Sequence, residues 1–84
     1  MATTTIDLMD RIRKAGVKAK GFKPSGVRPE VPLKNKEATG LDSMGRVELT
    51  LALEEEFGIQ LGDEELDAIN TFGDLAQAIQ QKLG

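Results

Sequence analysis

Apolar positions recur at helical spacing in four segments of the chain, and no segment alternates as a strand would. The first segment runs from about Thr3 or Thr5 to Lys14. Ile6, Met9 and Ile12 make its stripe, which Leu8 widens. Thr3 to Thr5 offer N-caps, and Asp7 lies in the first turn. Arg11, Arg13 and Lys14 fall toward the other end, so both signs of charge suit the helix dipole. Gly16 is expected to end it. The second segment, Ser43 to Phe57, has the clearest pattern. Leu49, Leu53 and Phe57 repeat at i, i+4, i+8 as a core-facing stripe, and Met44, Val47 and Leu51 form a second apolar stripe on a neighbouring face. Its length predicts a rod of roughly 22 Å, stopped by Gly58. A short third segment, Asp63 to Ala68, has Asp63 as candidate N-cap, with Leu66 and Ile69 inward. In the last, Thr71 to Leu83, Thr71 is the expected N-cap. Asp74, three residues on, resembles a capping box with a shorter acid. Phe72, Leu75, Ala76, Ile79 and Leu83 form its apolar stripe.

Between Gly16 and Asp42 the pattern dissolves. All of the prolines (Pro24, Pro29 and Pro32) lie here, and only Val17, Phe22, Val27, Val31, Leu33 and Leu41 are available to pack. The expected fold is all-α: one domain over residues 1–84, three longer helices and one short one, with a long loop over 16–42 between the first two. The expected core is Ile6, Met9, Ile12, Leu49, Leu53, Phe57, Leu61, Ile69, Phe72, Leu75 and Ile79. A core this small predicts modest net stability and an interior that can open.

Composition narrows the function. The 84 residues contain no cysteine and no histidine. Disulfides, thiolate chemistry, an imidazole base and a zinc site therefore lack their usual residues, and no base–nucleophile pair suggests an enzyme. No run of about 18 apolar residues predicts a membrane span. The start, MATTTIDLMDRIRK, lacks the apolar stretch of a signal peptide. A cytoplasmic monomer without membrane insertion is expected. Charge is uneven: residues 1–36 hold nine basic residues and three acids (+6), and residues 37–84 hold two and eleven (−9), summing to the net −3. An acidic surface attracts basic partners and repels nucleic acid. In the basic half only Phe22 offers a ring to stack on bases, so no nucleic-acid partner is expected.

Ser43 stands where the long loop becomes a helix. A serine there is most often a cap. Three features favour another role: it follows a loop and should be exposed, it precedes a large apolar Met44, and its helix presents Glu48, Glu54, Glu55 and Glu56 beside an apolar stripe. A phosphodiester on Ser43 would also suit a helix N-terminus.

The run GLDSMGRVELTLALEEEFGIQLGDEELDAINTFGDLAQAI, from Gly40 to about Ile79, resembles the acyl carrier proteins of fatty-acid and polyketide synthesis. The resemblance includes the Gly-x-Asp-Ser-[Leu/Met] motif, the Val-Glu-Leu step and the Ala-Leu-Glu-Glu-Glu-Phe run. It implies a carrier of acyl thioesters, not an enzyme, with 4′-phosphopantetheine attached to Ser43 by a phosphopantetheinyl transferase that draws on coenzyme A. It further implies docking of the second helix on basic patches of acyl-transferring and acyl-modifying synthase enzymes. Asp42, Glu48, Glu54 and Glu55 would make charged contacts there, and Met44, Val47 and Leu51 apolar ones. The protein would supply solubility, presentation and an apolar refuge, while the thiol chemistry stays with the cofactor.

Two places in the chain, four residues in all, depart from the family pattern. Gly45 and Arg46 stand where an acid usually follows the Ser-Leu pair, and Asn35 and Thr39 stand where apolar anchors precede the motif. Both differences predict a specialised carrier, with Gly45 loosening the first turn and the loop packing through Leu33 or staying mobile. The competing reading is an unmodified helical domain that binds a basic partner through the acidic second helix, with Ser43 only a cap. Calcium binding through Asp42, Glu48 or Asp63–Glu65 is the weakest reading, because EF-hand spacing is absent.

Overall fold

The computed structural model of the chain describes residues 5–83. In chain order the helices are α1 (Thr5–Gly16), α2 (Lys36–Thr39), α3 (Ser43–Phe57), α4 (Asp63–Ala68) and α5 (Phe72–Leu83), with a 3-10 turn at Pro24–Gly26. The described residues form no strand, and α1 packs against both α3 and α5. None of these helices is long and apolar enough to cross a membrane. The caps predicted at Thr3 and Thr4 lie outside the described residues.

The buried face of α1 is Leu8, Met9, Ile12 and Ala15, spaced i, i+1, i+4, i+7. Ile6, expected inside, is 74% exposed. The reason is angular. A spacing of three residues falls short of a full turn, so two such steps carry Ile6 about 120° from Ile12. Leu8 occupies the position that Ile6 was assigned. Leu83, also placed on a buried stripe, is 43% exposed, in the last turn of α5. The other expected core residues are buried, and Ala52 and Ala76 join them. Leu66 is only half-buried.

Each helix end has a chemical cause. In α5 the Asp74 backbone N–H donates to Thr71 Oγ1 (3.2 Å), and the Thr71 N–H donates back to Asp74 Oδ2 (3.3 Å). This is the predicted reciprocal box, closed by aspartate. The N-cap of α4 is Gly62 rather than Asp63. Asp63 instead joins Glu64 and Glu65 in the first turn, where the dipole favours acids. Glu65 accepts from the Gly62 N–H and pairs with Lys82 at 2.8 Å. Gly58 closes α3 in the left-handed region.

The 16–42 segment is ordered by packing and by backbone pairing. Ala19, Val27, Val31, Thr39 and Leu41 are buried, and Leu33 is half-buried. Leu33 N–H donates to Asn70 O (2.9 Å) and Phe72 N–H to Val31 O (3.1 Å), which fastens the segment to the start of α5. Arg13 donates to Val27 O, fastening it to α1. Of the two states open to this long loop, packing through Leu33 or mobility, the structure has the packed one, and the loop holds the 3-10 turn and α2 within it. Helix α2 is capped by Asn35, whose side chain accepts from the Ala38 N–H. Thr39 Oγ1 donates to Asn35 O (3.0 Å) and accepts from the Leu41 N–H (3.1 Å). The two polar residues at the anchor positions thus replace apolar packing with a hydrogen-bonded knot in which Thr39 is buried and Asn35 exposed.

The face assignment of α1 is checked by urea unfolding. Leu8→Ala should cost about 2–5 kcal/mol, and Ile6→Ala should stay within about 0.5 kcal/mol of wild type. The reverse ranking would mean that the helix presents its other face.

Candidate functional site

The junction between loop and α3 is built from the inside outward. Leu41 is fully buried and pins the chain just before the helix. Gly40 turns in the left-handed region at φ 74°, where a side chain would also strike the Gly21 carbonyl. Gly45, in the first turn, is buried. A Cβ there would lie 2.9 Å from Leu41 Cδ2. Its missing side chain therefore serves close packing as well as loosening the turn.

Asp42 is the N-cap of α3. Its Oδ1 accepts from the Gly45 N–H at 2.9 Å. That bond, more than the nearby Lys36 charge, holds the Asp42 carboxyl below its ordinary value. Capping by Asp42 leaves Ser43 with no capping duty. Ser43 is exposed, and its hydroxyl makes no hydrogen bond among the described residues. Two roles open to Ser43 in the sequence are thus divided between neighbours, Asp42 taking the cap and Ser43 keeping a free oxygen.

Ser43 also lines a cavity of about 420 Å³. Val47, Thr50, Leu51 and Leu53 of α3 form one side, and Leu61, Leu66, Ile69 and Leu75 the other. Met44 (70%), Val47 (56%) and Leu51 (55%) are exposed together, as the second stripe predicted. The expected docking acids separate into different roles. Glu55 is exposed with no partner among the described residues. Glu48 is exposed and accepts from the Lys20 N–H at 3.1 Å. Glu54 is half-buried, and its Oε2 accepts from the Leu61 N–H at 2.8 Å, so it braces the turn after α3. Glu56 pairs with Arg11 at 3.0 Å. Sequence reasoning missed Lys34, and it singled out Arg46 only as a departure from the family pattern; both line the cavity. Leu33, half-buried beside Lys34, was the one signal that the loop reaches this wall.

The cap gives a pH prediction. Asp42 has its carboxyl lowered in the folded state, so its contribution is fully present above its unfolded value, about 3.9. It is lost as pH falls through the lower folded value. Thermal unfolding should show Asp42→Ala less stable than wild type at pH 7, with the gap closing below about pH 4. A gap unchanged down to pH 2.5 would exclude a carboxylate cap.

Residues 26–79 match the PP-binding family model, described as "Phosphopantetheine attachment site". The chain is 35% identical over 78 residues to the acyl carrier protein of Phenylobacterium zucineum (strain HLK1), a match covering 93% of this chain and 96% of that protein. With a free serine hydroxyl at a helix start, an apolar cavity beside it and these two matches, the chain belongs to the acyl carrier protein family: it carries acyl groups on a covalent 4′-phosphopantetheine arm and is not a catalyst.

Proposed function

We propose that Ser43 is the attachment residue, and the observation that carries this reading is its exposed, unbonded hydroxyl beside the capping Asp42. The fit is favourable. The hydroxyl opens both to solvent, where a transferase can reach it, and to the 420 Å³ cavity. The arm supplies a thiol on which acyl groups ride as thioesters. The chain's own residues do the rest. Leu49, Leu53, Leu61, Ile69 and Leu75 offer apolar surface that excludes water from a hydrocarbon chain, at about 25 cal/mol per Å² covered.

The family's interactions are with a phosphopantetheinyl transferase and with acyl-handling enzymes. For this chain we assign the docking face to Met44, Val47 and Leu51, with Asp42, Glu48 and Glu55 as its charged rim. Glu54 belongs more to the fold than to the rim. Charged rims speed encounter more than they tighten binding, which suits a carrier that must let go. A cytoplasmic monomer without a nucleic-acid partner is the setting this reading assumes. The departures at Gly45 and Arg46 favour a carrier dedicated to one pathway. Turnover with a general fatty-acid synthase matching that of the synthase's own carrier would count against that.

Attachment is tested by incubating the protein with coenzyme A, Mg²⁺ and a broad-specificity transferase and weighing it intact. Wild type should gain one phosphopantetheine, and Ser43→Ala none. No gain with several transferases would favour the unmodified interaction domain. Docking is tested on the same reaction. Leu51→Lys should lower transferase kcat/KM about tenfold or more, with melting unchanged because the side chain is exposed. Glu55→Gln should slow association at low salt only. Equal rates for all three proteins would place the docking face elsewhere.

A further inference from the structure

Residues 37–84 contain two cations among eleven acids. Lys82 behaves as expected and pairs with Glu65 at 2.8 Å. Arg46 does not. Its guanidinium makes no ion pair and no hydrogen bond among the described residues, although it is half-buried and has acids on the same cavity wall. Those acids, Glu54, Asp63 and Asp67, all lie outside ion-pair distance of it. Lys34, across the wall on the loop, is likewise unpaired. Ser43 lines the same cavity and stands three residues before Arg46. Side chains three apart on a helix are neighbours, about 5–6 Å between Cβ atoms. A half-buried guanidinium that no protein group engages among the described residues, one turn from a free hydroxyl, is placed to bind an anion attached there.

We propose that Arg46, assisted by Lys34, clasps the phosphodiester formed on Ser43 and holds the root of the arm at the cavity mouth. This rests on Ser43 being the attachment residue. The chemistry is matched. A phosphodiester presents two non-bridging oxygens and one negative charge, and a guanidinium donates paired N–H bonds to such a group with better geometry than an ammonium. No bond is made or broken by the clasp. It also removes an anomaly. Before modification, Arg46 is a bare cation beside an acidic docking face that attracts basic partners. After modification its charge is compensated, so loading the arm completes the face as well as installing the thiol.

The test uses full-length protein loaded from coenzyme A as wild type, Arg46→Gln, Arg46→Lys and the Arg46→Gln/Lys34→Gln double variant. Intact mass first confirms one arm on each. The readouts are the ³¹P resonance of the phosphodiester and, where present, the Arg46 Nε–H resonance before and after loading. The expected result is that the Nε–H resonance moves on loading. The ³¹P resonance should shift in Arg46→Gln toward its position in urea-unfolded loaded protein, shift partway in Arg46→Lys, and shift furthest in the double variant. High salt should move the wild-type resonance the same way. If Arg46→Gln fails to fold by circular dichroism, Arg46→Lys and the salt series decide. A ³¹P position common to all four proteins would overturn the clasp. So would an Nε–H resonance that moves only when the arm bears a carboxylated acyl group, which would assign Arg46 to cargo instead. A mass gain that survives Ser43→Ala would sink the attachment reading, and the clasp with it, and is distinguished by mass alone.

Discussion

The hydrogen bond from the Gly45 N–H to the Asp42 carboxylate is the interaction on which the site depends. A helix start leaves backbone donors unsatisfied, and some side chain must meet them. Had Ser43 met them, its oxygen would be committed to the fold. With Asp42 in that role, one position earlier, α3 begins properly and the next residue presents an unused hydroxyl. The surroundings preserve this division. Buried Leu41 fixes the chain before the cap, the Thr39 knot fixes Leu41, and Gly45 leaves room for the Leu41 side chain in the first turn.

Helix α3 then has work on nearly all sides. One face, with Leu49, Ala52 and Leu53, holds the core. Another, with Met44, Val47 and Leu51, is apolar and open. Between them runs the wall of the cavity. Exposed apolar side chains in a row commonly mark an interaction site, and a carrier needs one that partners can grip and leave. In the proposed reading the same helix carries the tether at Ser43, the docking stripe and one wall of the refuge. A partner that presses on the stripe therefore presses on the cavity as well.

Much of this was legible in the sequence, and the rest was illegible for physical reasons. The three longer helices and the box at Thr71 and Asp74 follow from periodicity and capping chemistry. Ile6 was misplaced because a three-residue spacing looks helical over two steps yet drifts round the cylinder. The ordered 16–42 segment has no period to read. Val27, Val31, Thr39 and Leu41 pack singly, and its pairing with the start of α5 is a backbone bridge between Pro32 and Thr71, far apart in the chain. Asp42 and Ser43 were both visible as chemistry, but pattern alone could not say which one capped. That Lys34 and Arg46 line one cavity depends on the fold of the segment between them.

The most direct test follows the Gly45 amide resonance by NMR through an acid titration, in wild type and in Ser43→Ala. The account predicts that the resonance moves with a midpoint below the ordinary aspartate value and that Ser43→Ala leaves both its position and its titration unchanged. A Gly45 amide indifferent to acid and displaced by Ser43→Ala would show that the serine is the cap, and the free hydroxyl would be gone.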